Sequence, residues 1–173
     1  MAVCQLSLDP RSFYSHGITI QRSRLALRFV NVVEFMLLIL RRDAFCKTLT
    51  LLPEPGNAWG LEYVVCKYFE NQPRLIAILD AVSALHTRAH GTSAMYKHLK
   101  SGGKTMDEAE AEFLARHGAE KVKRVTRGAI DLLGTEVNDL RRLNRPVARA
   151  RLTNIYWQMR KITRLSIPQP TAC

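Results

Sequence analysis

The stretch Gly102-Gly103-Lys104-Thr105 has residue types that could hold a nucleotide phosphate, since it reads as the second half of a P-loop. A complete P-loop carries another glycine five positions before the second one, after a strand and opening a helix. That position is His98 here, so the wrapping glycine is missing. A local role accounts for the same residues. Thr105 followed by Met106, Asp107 and Glu108 is the T-x-x-E capping box, and the two glycines suit the end of a preceding helix. His86 and His90 stand four apart, a spacing that places both on one helix face. The "HTRAH" run lacks the glutamate of a zinc hydrolase, however. No Gly-x-Ser-x-Gly elbow appears, and the four cysteines form no C-x-x-C pair. The sequence thus offers no catalytic set, no metal set and no directly bound cofactor.

The chemistry it does offer is charge. The chain of 173 residues carries a net charge of +11. Between 121 and 164 it holds twelve basic residues, among them Arg141, Arg142, Arg145 and Arg149, against Asp131, Glu136 and Asp139. Such a balance seeks nucleic acid, an anionic membrane surface or an acidic protein. Arginines that neutralise RNA phosphates release counterions, and arginine also pairs bidentately with carboxylates. Trp157 and Tyr156 are the aromatic residues in this basic stretch.

The elements that would position these residues read as helices. Leu27, Val30, Val33, Met36, Leu37 and Leu40 predict a buried helix over 25–52, ended by "PEPGN". A second helix is expected over about 60–70. A third, with Leu75, Ile78, Leu79, Val82 and Leu85 on one side, is expected over 74–100. Another begins at Thr105. Val122, Val125, Ala129, Leu132, Leu133, Val137 and Leu140 predict a long basic helix, ended by "NRP" at 144–146. Leu152, Ile155, Met159 and Ile162 predict the last one. The expected fold class is all-α. Its regions are an irregular arm over 1–24, a three-helix module over 25–100 and a basic helical region over 105–166. No run reaches the roughly 18 apolar residues of a membrane span. The first thirty residues hold four arginines and one acid, Asp9, a bias similar to a mitochondrial transit segment and here read as an uncleaved address or docking arm.

Residues 37–71, "LLILRRDAFCKTLTLLPEPGNAWGLEYVVCKYFEN", resemble the LYR-motif family of small mitochondrial three-helix proteins. Leu40-Arg41-Arg42 stands at the family's Leu-Tyr-Arg triplet, with Arg41 in place of the tyrosine. Phe45 and Lys47 stand at the following positions, Leu52-Pro53 at the helix end, and Tyr63, Lys67 and Phe69 on the second helix. The resemblance implies a non-catalytic accessory or assembly subunit of a mitochondrial respiratory-chain complex such as complex I, in the mitochondrial matrix or on the matrix side of the inner membrane. It also implies docking of an acyl carrier protein, whose acyl-phosphopantetheine chain would lie between the three helices. Arg41, Arg42, Lys47 and Lys67 would then meet the carrier's acidic face. Arg141, Arg142, Arg145, Arg149 and Trp157 would hold a larger assembly. The alternative function is an RNA-binding protein of a mitochondrial or other ribosome.

Overall fold

A computed structural model describes residues 1–51, 59–72, 74–87 and 105–147. It overturns the all-α expectation. Six strands form one mixed sheet: β1 (Val3–Leu8), β2 (Leu25–Val30), β3 (Leu38–Leu40), β4 (Ile76–Ala84), β5 (Thr126–Asp131) and β6 (Glu136–Val137). Their order across the sheet is β3-β1-β4-β2-β5-β6. β1 and β4 run parallel and every other neighbouring pair is antiparallel. Four helices are described: α1 (Arg42–Leu49), α2 (Leu61–Lys67), α3 (Met106–Arg116) and α4 (Leu140–Leu143).

The three-helix module fails at its first and third helices. Where a helix was expected over 25–52, the chain makes β2, a loop, β3 and the short α1. Where the third was expected, residues 76–84 are β4. Both strands have apolar residues on two faces, so their sequences read as continuous apolar runs, and such runs fit helical spacing as easily as strand alternation. On one face lie Val30, Ile76 and Ile78; on the other lie Leu27, Phe29 and Leu79. The acyl-chain sheath implied by the resemblance therefore lacks the helices that would form it. The expected long helix over 122–140 is the β5–β6 hairpin, turned by Gly134 at φ +86°. Residues expected as an irregular arm supply β1, which lies inside the sheet between β3 and β4. The sheet thus takes strands from all three of the expected regions.

Two helices match expectation. α2 occupies 61–67, and α3 begins after Thr105 with the capping box formed in both directions. The Thr105 hydroxyl accepts the Glu108 N–H at 3.2 Å, and the Thr105 N–H donates to the Glu108 carboxylate at 2.8 Å. His90, His98, Gly102, Gly103, Arg149, Trp157 and the last expected helix lie outside the described residues.

α1, α2 and α3 cover one face of the sheet. Ala44, Leu61, Val64, Val65, Phe113 and Leu114 pack there against Val3, Val30, Ile76 and Ile78. On the other face, Leu6, Leu27, Phe29, Leu79 and Ile130 are each half-buried and belong to none of the buried clusters. Arg74 crosses this face, its guanidinium 5.5 Å from the Phe29 ring centroid and 2.7 Å from the Glu136 carboxylate. Among the described residues no helix is long and apolar enough to cross a membrane.

Candidate functional site

The basic run acquires a rigid base at α4. Leu143 is buried with Leu25 and Ala129, which fixes this short helix against β5. The Asp139 side chain accepts the Arg142 N–H at 3.0 Å and caps the helix start. The Asn144 amide closes the end of α4. Its oxygen accepts the Thr126 N–H at 2.8 Å, and its nitrogen donates to the carbonyls of Thr126 and Leu140, each at 2.9 Å. Arg22 donates to the Leu143 carbonyl at 3.1 Å and also to the Arg145 carbonyl. These bonds hold Arg141, Arg142 and Arg145 outward into solvent, and none of the three forms an ion pair among the described residues.

The composition beyond this point is one-sided. Asp139 is the last acidic residue of the chain, and residues 140–173 hold eight basic residues. Two of the basic residues before α4 behave differently. Arg124 is buried and paired with Glu62 at 2.9 Å, and Lys121 pairs with Glu110 at 2.5 Å. The expected basic region thus mixes charges paired with carboxylates, Lys121 and Arg124, with exposed charges that form no ion pair among the described residues: Lys123 and Arg127 before α4, and Arg141, Arg142 and Arg145 on and after it.

A cleft of about 280 Å³ lies between α2 and the turn after α3. Asn31, Tyr63, Lys67, Glu70, Glu120 and Arg127 line it. Lys67 donates to the Gly118 carbonyl, and Arg127 donates to the Glu70 carbonyl at 3.2 Å. Behind the wall, the Arg124 guanidinium stacks 4.9 Å from the Tyr63 ring centroid. Burial pushes the Glu34 carboxyl up to about 7, against the pull of Arg124. The Cys66 thiol at the cleft floor is pushed up to about 12 by burial, so it stays protonated and unreactive near neutrality. The cleft mixes two cations with two carboxylates, so it presents no single-sign field to a ligand.

The residues carried over from the family resemblance do not converge. Arg41 precedes α1 and pairs with Asp43 at 2.7 Å, and Arg42 is exposed beside it. Phe45 is 48% exposed on α1, whereas Phe69 is 4% exposed and belongs to the core. Lys47 lies 5.1 Å and 5.5 Å from the rings of Tyr68 and Phe69, on a different flank of α1 from Phe45. Of these residues, Tyr63 and Lys67 line the cleft. One buried pair escaped the sequence reading. Arg28 and Asp80 are both fully buried and bond at 2.7 Å. A lone arginine in "LALRFV" and a lone aspartate in "IAILDAVSA" were the signal, being opposite charges in two apolar runs.

No protein-family model, no curated protein and no solved structure matches the chain. Among the described residues, no group of three or more histidines, cysteines or carboxylates could hold a metal ion.

Proposed function

We propose that the protein is a non-catalytic binding protein that holds the phosphate backbone of an RNA. The observation that carries this reading is the unbroken basic composition after Asp139, together with the anchored turn of α4 that starts it. Arg141, Arg142 and Arg145 are fixed at their backbones, so little ordering is needed at the first contacts. The rest of the run follows along the phosphates. Each neutralised phosphate releases counterions, which makes affinity fall log-linearly with salt at a slope of roughly 0.7 to 0.9 per contact.

The test is RNA binding measured across a salt series. The double variant Arg141→Gln/Arg142→Gln should lower the slope by about two and weaken binding to unrelated sequences alike. A wild-type protein that ignores RNA at low salt would sink the reading.

A second reading, an accessory subunit of a larger protein assembly, is favoured by the half-buried apolar sheet face around Phe29, Leu27 and Leu79. Such an interface should resist moderate salt, so the same series separates the two. The respiratory-chain setting and the carrier protein rest on the family resemblance alone.

A further inference from the structure

The sheet has two edges, and their sequences treat them differently. β6 forms one edge with only two residues, and its Glu136 is ion-paired with Arg74. A short, charged edge strand discourages further pairing. β3 forms the other edge with Leu38-Ile39-Leu40, in which no residue is charged.

The register shows which backbone groups of β3 are left over. β3 runs antiparallel to β1, with Val3 opposite Leu40, Cys4 opposite Ile39 and Gln5 opposite Leu38. The Arg41 N–H donates to the Ala2 carbonyl at 2.8 Å, and the Leu6 N–H donates to the Leu37 carbonyl at 3.5 Å. Both bonds continue this register. Hydrogen-bonded pairs alternate with non-bonded ones along an antiparallel ladder, so Cys4 and Ile39 are the bonded pair between them. Leu38 and Leu40 therefore hold the non-bonded positions. Their N–H and C=O groups point away from β1, where no further strand lies among the described residues.

Apolar side chains border the same edge. Ile39 is 49% exposed. α1 follows β3, packs on it, and turns Ala44 and Thr48 inward. Its Lys47 lies against Tyr68 and Phe69 at the end of α2. Phe45 and Leu49, each 48% exposed, stand on the flank of α1 away from α2. Because α1 sits on the outermost strand, that flank borders the free edge.

We propose that β3 pairs with β3 of a second copy of this chain across a two-fold axis at Ile39, joining two six-stranded sheets into one. Antiparallel pairing about that axis sets Leu38 of each copy opposite Leu40 of the other and uses the leftover N–H and C=O groups of both leucines. Ile39 meets Ile39 of the other copy in a non-bonded pair, where Cα atoms come within about 4.5 Å and side chains pack most closely. The flanks that carry Phe45 and Leu49 extend the contact beyond the strands. The charges permit this arrangement. Arg41 follows β3, so its two copies lie at opposite ends of the seam, roughly 13 Å apart along the strands. That exceeds the screening length of about 8 Å at physiological salt, and each Arg41 is already paired with its own Asp43. A partner selected for its acidity would gain nothing from an edge strand without charge. The short, charged β6 edge keeps the contact from propagating, so it closes at two copies.

The test is sedimentation equilibrium of the nuclease-treated full chain over a range of concentrations. The wild type should be a dimer that dissociates on dilution. Ile39→Lys sets like charges face to face at the axis and should weaken the dimer at least about ten-fold, with unchanged circular dichroism. Ile39→Glu should do the same. An equimolar mixture of Ile39→Lys and Ile39→Glu should dimerise again, because opposite charges then meet at the axis. Added salt should weaken that mixed dimer more than the wild type. Recovery in the mixture also shows that neither variant had failed to fold. A wild type that stays monomeric, an Ile39→Lys protein that dimerises as tightly as the wild type, or a mixture that stays monomeric would each overturn the proposal. The seam uses none of the arginines assigned to RNA, so Arg141→Gln/Arg142→Gln should dimerise like the wild type.

Discussion

Two buried ionic clusters support the sheet, and they differ in how fully their atoms are satisfied. In the first, Arg28 donates from Nε to Asp80 Oδ2 at 2.7 Å and from Nη2 to Asp80 Oδ1 at 3.0 Å. Its remaining donors reach the carbonyls of Ile18 at 2.8 Å and Ile20 at 3.0 Å, and the Arg22 N–H donates to Asp80 at 2.8 Å. Burial pushes the Asp80 carboxyl up, and this shell of donors works against that push. In the second, Glu34, Glu62 and Arg124 share a space with Tyr63 and Ser15. Arg124 Nε and Glu34 Oε2 are buried without a partner. Gln5 Oε1 accepts the Glu34 N–H at 2.6 Å, yet the Gln5 amide nitrogen also goes unpaired. The lesson is that burial alone does not fix the role of an ion pair. A satisfied pair locks β2, β4 and the Gly17–Thr19 turn into one arrangement. An under-satisfied one leaves a carboxyl whose ionisation the fold opposes.

Breaking the satisfied pair should have the largest effect. Arg28→Met leaves the Asp80 charge buried against apolar strands, and removing one partner of a buried pair costs about 3–5 kcal/mol. Urea denaturation should show that loss. Arg28→Met/Asp80→Leu should recover a good part of it, since the stranded charge is gone. If the double variant is as unstable as the single, the hydrogen bonds to Ile18 and Ile20 matter more than the pair.

The second cluster is read through pH. Glu34 has an ordinary value of 4.5 and is raised to about 7 in the fold, so the folded state holds a proton that the unfolded chain has released. Its contribution to stability is fully present below pH 4.5 and is lost as pH rises through 7. The loss across that window is on the order of 3 kcal/mol. Glu34→Gln keeps the shape and removes the titration. The stability difference, wild type minus variant, should therefore fall by that amount between acid and slightly alkaline buffer. Glu62 is also raised by burial and its charge raises Glu34 further, so the comparison is repeated in a Glu62→Gln background, where the same fall should remain. A difference that stays flat with pH would place Glu34 in water and dissolve the contrast between the clusters.

Much less of the fold than of the local signals was legible in the sequence. Thr105 and Glu108 announced the start of α3 because capping is decided within four residues. The apolar residues of β2 and β4 announced burial but not period, because a strand with apolar residues on both faces loses its alternation. Only the pairing of Arg28 with Ile78 and Ala129 across the sheet makes Arg28 an interior residue, and that pairing is non-local. The "DLLGT" turn was readable from Gly134 in retrospect. Leu132 and Leu133 obscured it by continuing an apparent helical stripe. The basic composition of the C-terminal third was visible. That two of its charges, Arg124 and Lys121, are paired with carboxylates needed Glu62 and Glu110 to be placed beside them.

Two smaller effects extend the contrast to the surface. Thr105→Ala removes a solvent-exposed cap whose bonds satisfy two helix-end groups, and a cost of about 1 kcal/mol is expected in the melting curve. Arg41→Gln removes an ion pair with Asp43 in which both side chains are about half exposed. Water already solvates both charges, and the short bidentate contact replaces hydration that is nearly as good. The same substitution removes a residue that the family resemblance would use against an acidic partner. Its melting temperature should be indistinguishable from wild type, and raising the salt should not change that result. A measurable loss at Arg41 would mean that its pair with Asp43 orders the start of α1. Exposure would then no longer rank the ionic contacts, and the distinction between satisfied and under-satisfied clusters would need local geometry rather than burial as its basis.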